Sequence, residues 1–228
     1  MPDARRARRP RGRAQRRSVL PGALIGGLIA AQVGFAATFR GPRDRFWQRM
    51  TLTGAGLGAL SLLASRAARR TRVGASDVAL GAASAAALYA TFEVGDRFAR
   101  RFVPGGDAQI QDIYTLRTLR PRAEIAVRLA TIIGPAEELF WRGLVQEDLM
   151  FRFGRWRGAA LAAMAYGGVH IVTGNFTLFG AAGIAGAHWS LLRAAGVPLG
   201  ALVVSHVTWD IWIFLVQPTG AVATVDPA

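Results

Sequence analysis

Apolar residues run along this chain in long blocks separated by short stretches rich in Arg, and nothing alternates with the period of two that is typical of half-buried strands. Seven of the blocks are long enough, or nearly so, to cross a bilayer as a helix of about 20 residues. They cover 20–39, 50–64, 78–94, 122–153, 159–173, 176–192 and 198–216. The pattern predicts an all-α fold, a polytopic transmembrane helix bundle of about seven membrane helices.

Proline and glycine indicate how these helices are grouped. The stretch RFVPGGD, 101–107, is the clearest internal break. It separates the N-terminal transmembrane helices and an interfacial segment, 20–120, from a second helix bundle, 121–217. An Arg-rich tail, 1–19, precedes the first group, and a short C-terminal tail, 218–228, follows the second. Within 122–153, Pro135 is expected to kink a single long helix.

Composition and charge refine the picture. The chain has 228 residues, 52% of them hydrophobic, with a net charge of +14 and no Cys. All its basic residues are Arg, and eight of them lie in the first seventeen positions. No nucleic-acid-binding motif follows this tail, so we expect no nucleic-acid partner. The tail and block 20–39 could form a signal peptide, but the block is long enough to span the bilayer, so we expect an uncleaved first helix. The positive-inside rule then predicts an N-terminus in the cytoplasm. The Ala-, Gly- and Arg-rich composition suggests the cytoplasmic membrane of a bacterium, and the lack of Cys excludes disulfides and thiolate chemistry.

The stretch GPAEELFWRG, 134–143, places charged residues inside one of the apolar blocks. Each ionised side chain near the centre of a bilayer costs about 2.5–3.5 kcal/mol. Glu138 and Arg142 are four residues apart, the spacing at which helical side chains pair. Glu137 is turned by about 100° from Glu138. The spacing therefore predicts a Glu138–Arg142 ion pair and a second carboxylate that faces elsewhere, uncompensated.

The three His residues all lie in the apolar second half of the chain. His170 ends YGGVH and His206 opens HVTWD, so Tyr166 and Asp210 share a helix face with one His each. Since polar residues in a membrane bundle face its interior, Glu137, His170 and His206 are expected to converge on one cavity. His188, in GAHWS, fits no motif and is interpreted as polar packing.

Two chemistries are open to such a group. A free carboxylate beside a neutral His is a general base, and two His with one Glu are suitable ligands for a catalytic zinc. Either arrangement activates water for attack on a carbonyl. The alternatives are structural: a Glu–Arg staple between helices and His residues that hydrogen-bond across helices. A proton-coupled transporter would be expected to show a related pair of interrupted helices in two halves, and the chain has no such pair.

These motifs resemble one family. EELFWR fits E-E-x-x-x-R, HVTWD fits H-x-x-x-N/D, and YGGVH fits F-x-x-x-H with Tyr166 in place of Phe. In order and helix placement, 121–216 is similar to the CPBP family, which includes CAAX prenyl endopeptidases, bacteriocin-processing enzymes and the lysostaphin-resistance group. The resemblance implies an intramembrane endopeptidase, a membrane-embedded metalloendopeptidase or glutamate-type hydrolase. The catalytic residues that it implies are Glu137, Glu138, Arg142, His170, His206 and Asp210.

The roles implied by the resemblance are divided between these residues. Glu137 and His170 activate the water, while His206 and Asp210 bind metal or stabilise the oxyanion. The expected metal is Zn²⁺ with His170, His206 and Glu137 as ligands, and a metal-free glutamate mechanism is the alternative. Asp210 favours the metal slightly, because a carboxylate donates no hydrogen bond unless it is protonated.

The expected partners are the lipid bilayer and a membrane-associated or peptide substrate. CAAX-type protein processing and the maturation of bacteriocins or other peptides are the two classes of reaction that the resemblance implies. The alternative function, from a different class, is that of a non-catalytic family member acting as a bacteriocin-immunity or membrane scaffold protein.

Overall fold

The computed structural model of the chain describes residues 19–219. Within that range every regular element is helical, and β pairing is limited to an isolated bridge between Val19 and Ser65. The predicted all-α class is therefore confirmed. The Arg-rich stretch 5–17 and nearly all of the predicted C-terminal tail lie outside the described residues.

Residues 19–120 contain five α-helices. They are α1 (Ala23–Phe39), α2 (Phe46–Ala64), the short α3 (Arg66–Arg70), α4 (Ala75–Phe102) and α5 (Gly106–Thr115). Only three residues separate α4 from α5, and Gly105 takes a positive φ of 70° in this turn, a conformation that glycine adopts without steric cost.

One continuous helix, 122–153, opens the C-terminal half as the sequence predicts, and we call it the long helix. It consists of α6 (Arg122–Arg128), α7 (Gly134–Phe140) and α8 (Gln146–Phe153), joined by π-helical turns at Leu129–Ile133 and Trp141–Val145. Pro135 follows the first π turn, where its missing N–H interrupts the α-helical hydrogen bonding. The kink itself stays a prediction.

Three more helices complete the fold. They are α9 (Arg155–Val169), α10 (Phe176–Ala195) and α11 (Leu199–Ile211). A 3₁₀ turn, His170–Thr173, extends α9, and a π turn, Trp212–Val216, extends α11.

The seven predicted apolar blocks all contain helices, but the count of seven membrane spans is not confirmed. Among residues 19–219, two helices are long and apolar enough to cross a membrane, Ala75–Phe102 and Leu199–Val216, and Ala23–Phe39 is a shorter apolar helix. In the long helix, Glu137, Glu138 and Arg142 lie within two turns and lower its apolar character.

Glycine residues let three helices of the bundle pack closely against one another. A Cβ atom added at Gly134 of the long helix would lie 2.8 Å from Val207 Cγ2 on α11, and one at Gly81 of α4 would lie 2.7 Å from the Ala201 carbonyl oxygen. Such contacts let helix backbones approach closely. They place α11 directly against both the long helix and α4.

The bundle has two ends, which contacts between loops define. At one, Ser65 pairs with Val19 and donates a hydrogen bond to the carbonyl of Gly143. At the other, Trp47 Nε1 donates to the carbonyl of Leu116 at 2.8 Å. We call these the Ser65 end and the Trp47 end.

Candidate active site

A cavity of about 690 Å³ lies in the half of the bundle nearest the Trp47 end. Most of its wall is apolar. Its polar wall includes four of the six predicted catalytic residues, Glu137, His170, His206 and Asp210, together with Tyr166. Side chains from the long helix, α9 and α11 are thus brought to one cavity.

Glu138 and Arg142 lie behind this wall. Both side chains are completely buried, and Arg142 Nη1 donates to Glu138 Oε1 at 2.9 Å. The same carboxylate oxygen accepts a hydrogen bond from His206 Nδ1 at 2.8 Å. Glu138 therefore joins the guanidinium of its own helix to the imidazole of α11.

Two aromatic rings enclose the guanidinium of Arg142. Its Cζ lies 4.6 Å from the centroid of the Tyr166 ring and 5.1 Å from that of Trp189, and Nη2 donates to the carbonyl of Gly186 at 3.3 Å. Cation–π attraction is strongest where the cation is desolvated, so these rings help to offset the cost of burying Arg142.

Glu137 faces the cavity on the other side of the helix. It is 5% exposed, its Oε2 accepts a hydrogen bond from the Tyr166 hydroxyl at 3.1 Å, and the same oxygen lies 4.0 Å from His206 Nε2. The tyrosine that replaces the motif's phenylalanine thus supplies a hydroxyl that orients this carboxylate.

The two site histidines are each held through Nδ1. His170 Nδ1 lies 2.9 Å from the carbonyl oxygen of Tyr166, which can only accept, so Nδ1 carries the proton and a neutral ring keeps a lone pair on Nε2. His206 Nε2 lies 3.5 Å from Asp210 Oδ2. Within residues 19–219, no hydrogen bond joins His170 to Glu137.

Three polar or aromatic residues around His206 were not identified from the sequence. The ring of Trp189 stacks on that of His206, and Trp189 Nε1 donates to Ser205 Oγ at 3.0 Å. Ser205 Oγ is 2.8 Å from Ser84 Oγ on α4, which lies 2.9 Å from His188 Nε2. The HW pair in GAHWS was the available signal for Trp189, whereas nothing in the sequence singles out Ser84.

The His and carboxylate side chains of the cavity are suitable zinc ligands, but their arrangement does not form a zinc site. Imidazole and carboxylate are ordinary zinc ligands, and a His whose Nδ1 is hydrogen-bonded is well oriented for binding metal through Nε2. Yet in the described part of the chain, no three His, Asp or Glu side chains are grouped so that they could hold a metal ion. The predicted ligands His170, His206 and Glu137 are therefore not assembled as a zinc site, and zinc binding stays a prediction.

Comparison with known proteins identifies the family. Residues 122–212 match the family model described as type II CAAX prenyl endopeptidase Rce1-like. This segment, less than half of the chain, is similar to the Rce1-like family. The match confirms the family inferred from the motifs and contains all six predicted catalytic residues. No curated protein and no solved structure matches the chain.

The family that residues 122–212 match is described as one of prenyl endopeptidases. The family is one of membrane-embedded proteases, and the two apolar helices are consistent with that location. Ser84 and the rest of α4 lie outside the matched segment, although α4 contacts the site helix α11.

The buried pair leads to a prediction about stability. Replacement of one partner of a buried ion pair leaves the other uncompensated and typically costs about 3–5 kcal/mol. Glu138→Gln should therefore lower the free energy of unfolding by about that amount, because both Arg142 and His206 lose their carboxylate. The thermal unfolding temperature of the purified protein in detergent measures the change.

A second Glu–Arg pair on the same helix provides the control. Glu124 and Arg128 have the same spacing and lie 2.8 Å apart, but both are partly exposed, and such pairs contribute about 1 kcal/mol or less. Glu124→Gln should leave the unfolding temperature nearly unchanged. Equal effects of the two substitutions would show that Glu138 has no special structural role.

Proposed function

We propose that the protein is an intramembrane endopeptidase of the glutamate type, with Glu137 as the general base. The observation that carries the proposal is that the two adjacent glutamates have different surroundings. Glu138 is bound by Arg142 and His206 behind the cavity wall, whereas Glu137 lines the cavity and, among residues 19–219, accepts a hydrogen bond only from the Tyr166 hydroxyl. A carboxylate free of its local arginine is the one available to accept a proton.

The reaction that this arrangement supports is hydrolysis of a peptide bond. Glu137 removes a proton from a water molecule as the water oxygen adds to the peptide carbonyl carbon. The proton then passes to the amide nitrogen as the C–N bond breaks, which leaves a carboxylic acid and an amine and regenerates the Glu137 carboxylate. The unprotonated Nε2 of His170, on the same cavity, is suited to orient the water.

His206 is suited to stabilise the oxyanion. Three carboxyl groups, Glu137, Glu138 and Asp210, surround its ring, and one guanidinium, that of Arg142, balances them. A doubly protonated His206 brings this group closer to neutrality and places an N–H at Nε2. A donor fixed before the reaction stabilises the charge that develops on the carbonyl oxygen.

The apolar wall supports a membrane-associated peptide as the substrate. Phe46, Trp47, Phe92, Phe98 and Phe214 are among the side chains that line the cavity. Such a surface favours an apolar or lipid-modified segment over a charged one. A CAAX-type protein terminus and a bacteriocin-like peptide both satisfy this requirement, and the side on which the cavity opens decides whether the substrate reaches it from the cytoplasm or after export.

The orientation of the bundle in the membrane decides which of these two routes applies. We place the Ser65 end in the cytoplasm, because the sequence that carries eight Arg joins the described residues at Val19 of that end. The cavity and the Trp47 end then face outwards, which favours an exported peptide.

The absence of Cys makes the orientation directly testable. Arg45 near Trp47 and Arg70 near Ser65 are both exposed. In intact cells, a membrane-impermeant maleimide should label Arg45→Cys and not Arg70→Cys, and both should react after permeabilisation. The reverse pattern would place the cavity on the cytoplasmic side and favour a CAAX-type protein.

The proposed base leads to a prediction about turnover. Glu137→Gln should reduce cleavage by about 10²–10⁴-fold, the usual contribution of general acid–base catalysis, because an amide cannot take the proton of water. The assay follows cleavage of a farnesylated CAAX peptide and its unprenylated counterpart by mass spectrometry in proteoliposomes. Glu147→Gln is the control, because Glu147 lies on the same helix but pairs with Arg193 outside the cavity.

Two results would count against this assignment. A folded Glu137→Gln protein that cleaves at the parental rate would show that Glu137 is not the base. A parent that cleaves neither these peptides nor a library of apolar peptides would instead support the non-catalytic immunity or scaffold role.

The choice between glutamate and zinc chemistry leads to a separate prediction. The glutamate mechanism predicts that protein purified without a His-tag contains no stoichiometric metal and keeps its rate in excess chelator. The zinc hypothesis predicts about one zinc per chain, lost in His206→Ala and kept in His188→Ala. Loss of activity in chelator, with recovery on adding Zn²⁺, would overturn the metal-free mechanism.

A further inference from the structure

Trp189 occupies the centre of the buried part of the site. Its side chain is 0% exposed, and its ring lies almost parallel to that of His206, with centroids 4.1 Å apart and an interplanar angle of 16°. The guanidinium of Arg142 approaches the same indole. Trp189 therefore contacts both of the groups that bind Glu138.

The position of the indole is itself fixed. Trp209 and Tyr166 meet it edge-on at centroid distances of 5.7 and 6.3 Å. Its Nε1–H donates to Ser205 Oγ at 3.0 Å, and Ser205 directly precedes His206 on α11. The stack and the hydrogen bond thus hold two consecutive residues of that helix against α10.

The hydrogen bond continues to α4. Ser205 Oγ contacts Ser84 Oγ, and Ser84 Oγ contacts His188 Nε2, at 2.8 and 2.9 Å. Ser205 is fully buried, while Ser84 and His188 are half-buried. His188 therefore has a partner in this chain of hydrogen bonds, although it does not line the cavity.

His206 needs such support because one hydrogen bond does not fix a ring. Its bond from Nδ1 to Glu138 allows the imidazole to tilt about that contact. A tilt would move Nε2, the atom that lies 4.0 Å from Glu137 Oε2 and 3.5 Å from Asp210 Oδ2. A flat aromatic ring against one face of the imidazole removes this freedom, and catalytic groups held in place in advance are the more effective ones.

We infer that Trp189 is a positioning residue that holds the His206 ring at the angle needed for catalysis, with Ser205, Ser84 and His188 as its hydrogen-bonded support. Its effect on rate rests on the proposed endopeptidase function. The geometry of the stack is independent of that function and is tested separately.

The stack has a spectroscopic signature. A proton over the face of an indole is shifted upfield by the ring current, and with three His in the chain the His206 signal is assigned by its loss in His206→Ala. In protein labelled at His, Trp189→Leu should move the His206 Hε1 signal downfield, and Trp189→Phe should keep part of the upfield shift. An unchanged His206 signal in Trp189→Leu would overturn the inference whether or not the protein is a peptidase.

Kinetics test the consequence for catalysis. Trp189→Leu should lower kcat by about tenfold to a hundredfold and leave KM nearly unchanged, while Trp189→Phe should retain most of the rate. Trp156→Leu is the matched control, because Trp156 is 57% exposed and does not line the cavity. Equal losses in the Leu and Phe variants, or a change in KM alone, would contradict a positioning role.

A gentler variant covers the case in which Trp189→Leu does not fold. Ser205→Ala removes the acceptor of Trp189 Nε1 and little volume, so it should shift the His206 signal and lower kcat less than Trp189→Leu. Ser205→Ala with both the parental signal and the parental kcat would overturn the inference. An inactive parent whose His206 signal still responds to Trp189→Phe would refute the proposed function and leave the stack intact.

Discussion

The rest of the site depends on one buried charge, the guanidinium of Arg142. An ion enclosed in the interior of a membrane bundle is costly unless it is paired and hydrogen-bonded. Arg142 meets that requirement with partners from three helices: Glu138 on its own, Tyr166 on α9, and Gly186 and Trp189 on α10. The need to compensate one arginine thus draws the helices of the site together.

The same requirement assigns different tasks to two adjacent glutamates. Glu138, four residues before Arg142, forms an ion pair with its guanidinium, and the imidazole of His206 donates a hydrogen bond to the same carboxylate oxygen. Its neighbour points about 100° away and reaches the cavity. The E-E-x-x-x-R motif thus supplies one carboxylate to the buried ion pair and one to the cavity from a single turn of helix.

Helical spacing accounts for the part of the site that could be predicted. Glu138 with Arg142, Tyr166 with His170, and His206 with Asp210 are all four residues apart, and each pair is in contact. Contacts between helices depend on rotation and depth, which no periodicity encodes. For this reason neither the stack of Trp189 on His206 nor the contribution of Ser84 from α4 was predictable.

The two π turns of the long helix separate the helical phase of α7 from that of α6 and α8. Hydrogen bonding from i to i+5 takes up one residue more than an α-helical turn, and such a turn stands on each side of the seven residues Gly134–Phe140. The angular phase of the glutamates is therefore set by the local winding of this short segment. The side chains of α6 and α8 can therefore pack against their own neighbours without determining the direction in which the carboxylates of Glu137 and Glu138 point.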